Sequence, residues 1–142
     1  MANDPSIPLP SQATVNVVWL DVNSLLGNSV KPDLLPNDRA INNSLFNLFR
    51  CPIGARGPIF QPEYGSSLLR LLHEPCDYIT ANKIRMYAIQ AVQRWEPRID
   101  VDMANSVVNP DISRNGFIVT LVYSIVATKQ VTSGSFFLSK QA

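Results

Sequence analysis

Trp95-Glu96-Pro97-Arg98-Ile99 divides the chain between two periodicities. Upstream, apolar residues recur at helical steps of three and four; downstream they alternate with polar ones as in a strand. Pro97 stops the helix and pushes Glu96 toward extended backbone, so the side chains of Glu96 and Arg98, two residues apart, are expected to leave the same side. A carboxylate just past a helix C-terminus faces the negative end of the dipole, at a cost of about 0.3–1 kcal/mol. Glu96 therefore calls for a cation, and Arg94 and Arg98 are both at hand. The planar fork of Arg98 suits a carboxylate or a row of backbone carbonyls. Two readings stay open here: an exposed ion pair capping the helix, worth about 0–1 kcal/mol, or a charged joint that addresses a partner.

Upstream of the joint, Ile84, Ala88, Ala91, Val92 and Trp95 form one apolar stripe, with Lys83, Arg85, Gln90 and Arg94 off it and Thr80 as the expected N-cap. This predicts a main helix over about 80–95, roughly 22 Å long at about 1.5 Å per residue. Further upstream, Ile41, Leu45, Leu48 and Phe49 predict a helix capped by Asn37-Asp38 and ended by Pro52 and Gly54. Ser66 or Ser67 opens a short helix through Leu68, Leu69, Leu71 and Leu72, halted before Pro75. Between those two helices, residues 53–65 carry three glycines and two prolines and predict a structured turn segment.

Downstream, Ile99, Val101 and Met103 alternate with Asp100, Asp102 and Ala104, a strand with one wet face. Asn109-Pro110-Asp111 and Arg114-Asn115-Gly116 read as a turn region. Phe117 to Val126 follows as a second strand, apolar on one face through Phe117, Val119, Leu121, Tyr123 and Ile125, and partly apolar on the other through Ile118, Val122 and Val126. Val131 to Leu138 reads as a third strand, interrupted at Ser133-Gly134-Ser135 and destined for a sheet edge, where unpaired backbone groups invite another chain. The expectation is an α+β domain over 37–142, a small, mainly antiparallel sheet packed by the main helix and two shorter ones.

Residues 1–36 read as an extended, Pro-rich arm. Pro5, Pro8, Pro10, Pro32 and Pro36 oppose a packed helix, and the patch Val15 to Leu20 with Trp19 is expected to anchor the arm on its own domain or on a neighbour. The 142 residues and 46% hydrophobic content suit one core. Only 16% of residues are charged, so much of the surface is expected to be covered. A net charge of +1 without a basic run argues against nucleic-acid binding. No apolar run approaches the roughly 20 residues of a membrane span, and the start Met1-Ala2-Asn3-Asp4-Pro5 lacks a secretory signal, so a soluble chain made in a cytoplasm is expected. Cys51 and Cys76 show no metal-ligand spacing and are expected as free thiols; His73 has no nucleophile partner and reads as a surface or capping residue.

The order of elements, joined to Gly54-x-Arg56, Phe60-x-Pro62-Glu63-Tyr64-Gly65 and Trp95-Glu96-Pro97-Arg98-Ile99, resembles the baseplate wedge and sheath-initiator family of contractile phage tails. That family includes a baseplate component of type VI secretion systems, and its phage members are often called lysozyme-like. The resemblance covers roughly Asp38 to Leu138. It implies a virion protein of the tail baseplate, made in the host bacterial cytoplasm, with no cofactor and no catalytic step. It further implies that Glu96, Pro97 and Arg98 face a helical bundle of wedge proteins, and that the last strand, with Phe136, Phe137 and Leu138, offers its edge to the first ring of sheath subunits. On this reading Arg98→Glu blocks wedge incorporation without unfolding the monomer. The arm before Asn37 exceeds what the family core needs and would reach a tube or hub protein or a wedge neighbour.

Two other classes compete. A glycoside hydrolase would use two carboxylates among Glu63, Glu74 and Glu96, one with a raised pKa, whereas the arginines beside Glu96 should lower it. A free-standing adaptor would bind an extended peptide on the Val131 to Leu138 edge and form a small complex instead of a ring.

Overall fold

The computed structural model describes residues 19–22 and 34–140. In chain order these form β1 (Leu20–Val22), β2 (Leu34–Pro36), α1 (Asn37–Arg50), α2 (Leu68–Leu71), α3 (Tyr78–Trp95), β3 (Ile99–Asp111), β4 (Gly116–Ile125) and β5 (Val131–Ser139). β3, β4 and β5 make an antiparallel sheet with β4 in the centre, and β1 pairs with β2 as a separate antiparallel ribbon. The expected α+β architecture is therefore present.

The alternation in β4 decides where the core lies. Phe117, Val119, Leu121, Tyr123 and Ile125 are all 1% exposed or less, and they are flanked on the same face by Ile99, Val101 and Val108 of β3 and by Phe136 and Leu138 of β5. The helices close over this face with Ile41, Leu45 and Phe49 of α1, Leu68 of α2 and Ile84, Ala88 and Val92 of α3. Phe49 meets Phe136 edge-on at 5.3 Å, a geometry favoured by the ring quadrupoles. Gly134 has a packing reason: a Cβ there would stand 2.6 Å from the Asn42 Oδ1 of α1. That same oxygen accepts the Tyr123 hydroxyl proton at 3.0 Å, so one glycine lets α1 settle on β5 and satisfy a buried phenol. β5 runs unbroken through Ser133-Gly134-Ser135 and, among the described residues, occupies a sheet edge.

Several local expectations change. The N-cap of α3 is Asp77, not Thr80: its carboxylate accepts the Thr80 N–H at 2.7 Å, and Thr80 turns inward, 2% exposed. α1 begins behind Pro36 with no side-chain cap; the Asn37 N–H is instead taken by the Trp19 carbonyl at 2.9 Å. β3 continues through Asn109-Pro110-Asp111, paired with 116–118 of β4, so the turn is confined to 112–115. Met103 leaves the apolar face and is 55% exposed, because the register jumps from Asp102↔Val122 to Val107↔Thr120 and residues 103–106 bulge out opposite Leu121.

That bulge is stitched from within. The Asp102 carboxylate accepts the Ala104 and Asn105 N–H groups, and Ser106 Oγ accepts the Val122 N–H at 3.0 Å in place of a strand carbonyl. Arg85 of α3 then donates to the Ser106 carbonyl at 2.7 Å and to the Met103 carbonyl.

The end of the arm docks on its own domain. The β1–β2 ribbon lies against α1, and the Asn43 side chain donates to Asp21 Oδ2 and to the Val22 carbonyl, both at 3.0 Å. Residues 15–18 of the apolar patch, and Pro5, Pro8, Pro10 and Pro32, lie outside the described residues. Cys51 and Cys76 are free and half-buried, His73 is exposed, and among the described residues no helix is long and apolar enough to cross a membrane and no cluster of metal ligands occurs.

Candidate assembly surfaces

The Glu96–Arg98 pair is built inward. Pro97 keeps both side chains on one side, as expected, yet Glu96 is only 3% exposed. Arg98 Nε donates to Glu96 Oε1 at 2.5 Å and Arg98 Nη2 to Oε2 at 2.7 Å, a fork-to-fork pair. Ser44 of α1 donates to Oε2 at 2.6 Å. The carboxylate is thus fully occupied by its own domain. Burial pushes the Glu96 carboxyl up, but the hydrogen bonds of Arg98 and Ser44 and the guanidinium charge outweigh it and hold the group below its ordinary value. The Arg98 guanidinium is raised in turn by its bonds to Glu96.

What faces outward at the joint is Pro97, exposed, and Arg98, half-buried. Trp19 of the arm lies beside them, its ring 5.9 Å from the guanidinium carbon of Arg98, close to the outer limit for a cation–π contact. Sequence reasoning missed Trp19 and Ser44 as members of this site. Ser44 carried a signal: it sits among Ile41, Leu45 and Leu48 on the buried stripe of α1, where a hydroxyl needs a partner.

The two motifs that sit thirty residues apart in sequence meet in space. Tyr64 packs edge-on against Trp95 at 5.3 Å, the Arg56 guanidinium lies 3.7 Å above the Tyr64 ring, and Glu63 pairs with Arg94. Gly65 lets the chain cross the end of α1, where the Ser66 N–H reaches the Cys51 carbonyl at 2.9 Å. The segment 52–66 is therefore a buttress for the C-terminal end of α3, from which the joint projects.

At the sheet, side chains and main chain part company. Phe136 and Leu138 are core residues, 9% and 6% exposed, whereas Phe137 is 42% exposed on the opposite face. The Ile125 N–H bonds the Gln130 carbonyl at 2.9 Å. Odd residues of β4 therefore turn their backbone groups to β5, and on β5 the even residues answer them. Residues 131, 133, 135, 137 and 139 point theirs outward. Nothing in Val131–Ser139 is charged or proline.

The β3 edge differs. By the same alternation Pro110 stands at an outward position with no N–H to offer, the bulge breaks the row, and Arg85 occupies the Met103 and Ser106 carbonyls. These are the devices by which proteins blunt an edge.

The baseplate wedge protein gp25 family matches residues 37–130. The chain belongs to that family. Membership in the gp25 family places it among the structural parts of a phage tail baseplate, and the match takes in α1 through β4, including the joint and its buttress. A crystal structure from Geobacter sulfurreducens, provisionally described as a tail lysozyme, is similar with a TM-score of 0.62 and 16% identity, covering 72% of this chain and 89% of that chain. At that identity the likeness shows a shared fold alone. No curated protein matches the chain. The arm, with Trp19, lies outside the part of this gp25-family chain that the family matches.

Glu96 also gives the fold a pH dependence of definite sign. Its carboxyl is lower in the folded chain than the usual carboxylate value of about 4.3. Its stabilisation is therefore complete above that value and is lost as pH falls through the lower, folded one. Asp77, Asp102 and Asp111 are shifted the same way, so the expected result is a difference: unfolding stability of Glu96→Gln should decline less steeply below about pH 4.5 than that of the wild type. Chemical denaturation at pH 3–7 measures it; parallel curves would show that Glu96 is not tied to Arg98 in solution.

Proposed function

We propose that this chain is a baseplate component that wedge proteins hold at the Pro97–Arg98 joint and that starts the tail sheath by accepting a strand on β5. The observation that carries the reading is the asymmetry of the two sheet edges. β5 presents a regular, uncharged, proline-free row of outward N–H and C=O groups, while the β3 edge is interrupted by Pro110, the bulge and Arg85. A strand added to β5 gains main-chain hydrogen bonds on an edge already ordered, so the entropy of forming it is spent before the first sheath ring arrives.

In the joint, Glu96 is a positioning residue: it fixes the fork of Arg98 from inside, leaving Pro97 and the outer rim of the guanidinium to meet a wedge protein. Through its arm the chain would also contact a tube or hub protein. A hydrolase finds less support. Glu96 is held low, the reverse of what a general acid needs, and Glu63 and Glu74 are paired with Arg94 and Lys83.

The test separates the two surfaces. Ser135→Pro removes an outward N–H from β5 without touching its ladder to β4. The variant should fold, enter wedges and fail to nucleate sheath, seen as baseplates without sheath by electron microscopy. Arg98→Lys keeps a cation beside Glu96 but loses the fork and should lower recovery of wedge proteins in a pull-down from particle-producing cells. Normal sheaths on Ser135→Pro baseplates would sink the strand-addition reading.

A further inference from the structure

A second surface, away from both the joint and β5, has the shape of a receptor. Three hollows of about 210, 320 and 350 Å³ run together along α3, and all three are lined by Tyr87. The α3 side is Lys83, Met86, Tyr87, Gln90, Ala91, Arg94 and Trp95. Those positions recur at steps of three and four, a stripe that borders the one packed on the sheet and shares Ala91 and Trp95 with it. The facing wall comes from segment 52–67 and α2, with Ile53 and Leu71 as its apolar members. Met86 is 63%, Ile53 56% and Tyr87 43% exposed, high values for large apolar groups gathered in one channel.

Two ion pairs tie the walls together. Glu63 reaches across to Arg94, and Glu74 to Lys83 at 2.7 Å. They cancel one another's charge and leave Arg70, which pairs with no carboxylate among the described residues and lines the middle hollow.

The occupant follows from what the channel offers and what it lacks. Among the described residues its walls are two helices and a turn segment, so no open strand edge of theirs lies along it to hydrogen-bond an extended peptide. An occupant must satisfy its own backbone, which a helix does. From Lys83 to Trp95 the channel is about 18 Å long at about 1.5 Å per residue, room for roughly twelve residues of helix. The apolar lining calls for apolar side chains at i, i+3 or i+4, and i+7, and Arg70 calls for a carboxylate among them. We propose that the α3 channel is the docking site of an amphipathic, acid-bearing helix from another protein. This rests on the assembly reading only in taking the helix from a partner of this chain.

The experiment places the photo-crosslinking residue p-benzoylphenylalanine at Met86 and irradiates particle-producing cells. The crosslinked segment is sequenced by mass spectrometry and made as a synthetic peptide. The expected segment is apolar at helical spacing and carries an acidic residue. Its peptide should gain helical circular dichroism on binding, bind Tyr87→Glu at least about tenfold more weakly, a loss ordinary for a central tyrosine, and bind Arg70→Glu several-fold more weakly, with both variants melting as the wild type does. Crosslinks to a second copy, to a strand-forming segment or to no protein would overturn the proposal, as would equal binding to Tyr87→Glu. Arg98→Lys should bind the same peptide as the wild type does even if it fails to enter wedges. Failure of the joint and failure of the channel are thus told apart.

Discussion

Arg98→Glu should destabilise the domain strongly, not merely change its surface. Glu96 lies at 4% side-chain exposure against an Arg98 side chain that is 28% exposed, with Ser44 closing the third side. A second carboxylate at position 98 leaves the first buried, unpaired and repelled. Breaking such a pair costs about 3–5 kcal/mol, against a total stability of about 5–15 kcal/mol for an ordinary domain. In a domain of this size each kcal/mol moves Tm by about 4 °C or more, so a fall of about 12 °C or loss of the cooperative transition is expected by circular dichroism. The double replacement Glu96→Met, Arg98→Leu removes both charges together and should recover most of the loss, since apolar pairs of similar size replace buried ion pairs at little cost. That double variant is then folded but lacks the guanidinium, and wedge recovery with it reads the interface free of the fold. A wild-type melting curve for Arg98→Glu would show that the pair is a surface ornament, as the sequence alone allowed.

The joint shows how far the sequence reaches. Pro97 and the spacing of Glu96 and Arg98 were enough to put both side chains on one side, and the change of period at Ile99 was enough to place a helix before a sheet. Neither says whether that side faces water. The answer comes from α1, fifty residues earlier, whose Ser44 covers the carboxylate, and from Trp19, still farther back. Burial of a polar pair depends on which distant element packs over it, and local periodicity carries no such term. The same limit explains Phe136, Phe137 and Leu138. Their alternation was visible, but which of them faces the core was fixed only by the register with β4.

β3 shows a different limit. Its alternation through Val101 is regular, and a strand ending near Asn109-Pro110 was the natural reading because proline breaks ladders. The chain tolerates Pro110 because that position turns outward. It tolerates three extra residues, 103–106 standing against Leu121 alone, because Asp102 and Ser106 supply the hydrogen bonds that the ladder loses. Arg85, which the sequence placed only off the apolar stripe, reaches the bulge carbonyls. The element's existence was legible from apolar periodicity; its irregularity was written in polar side chains whose partners are set by tertiary contact.

Gly65→Ala should be the most damaging glycine-to-alanine change among the described residues. Gly65 has φ +128°, a backbone region that side chains rarely adopt, and a Cβ there would stand 2.5 Å from the Cys51 carbonyl oxygen and 3.0 Å from the Pro52 carbonyl carbon. Those atoms are backbone at the end of α1, held by the Ser66 N–H at 2.9 Å and by the Ser66 hydroxyl, which donates to the Phe49 carbonyl at 3.2 Å. Neither side can yield cheaply. Strain of about 1–3 kcal/mol adds to the loss of a buried hydrogen bond worth about 1 kcal/mol, so a drop in Tm of about 8–16 °C is expected. Gly54→Ala is the control: φ is +88°, but the added Cβ meets nothing within 4 Å, so only the backbone term remains and the loss should be about 1 kcal/mol. The effect should also travel. Tyr64 packs on Trp95 and Glu63 pairs with Arg94, so lifting residue 65 off α1 loosens the buttress behind the joint and one wall of the α3 channel together. In a Trp19→Phe background Trp95 is the remaining tryptophan, and its emission should shift to the red in Gly65→Ala but not in Gly54→Ala. Equal melting of the two alanine variants, with unshifted emission, would mean that the crossing at Gly65 is not what holds the motif against the helix.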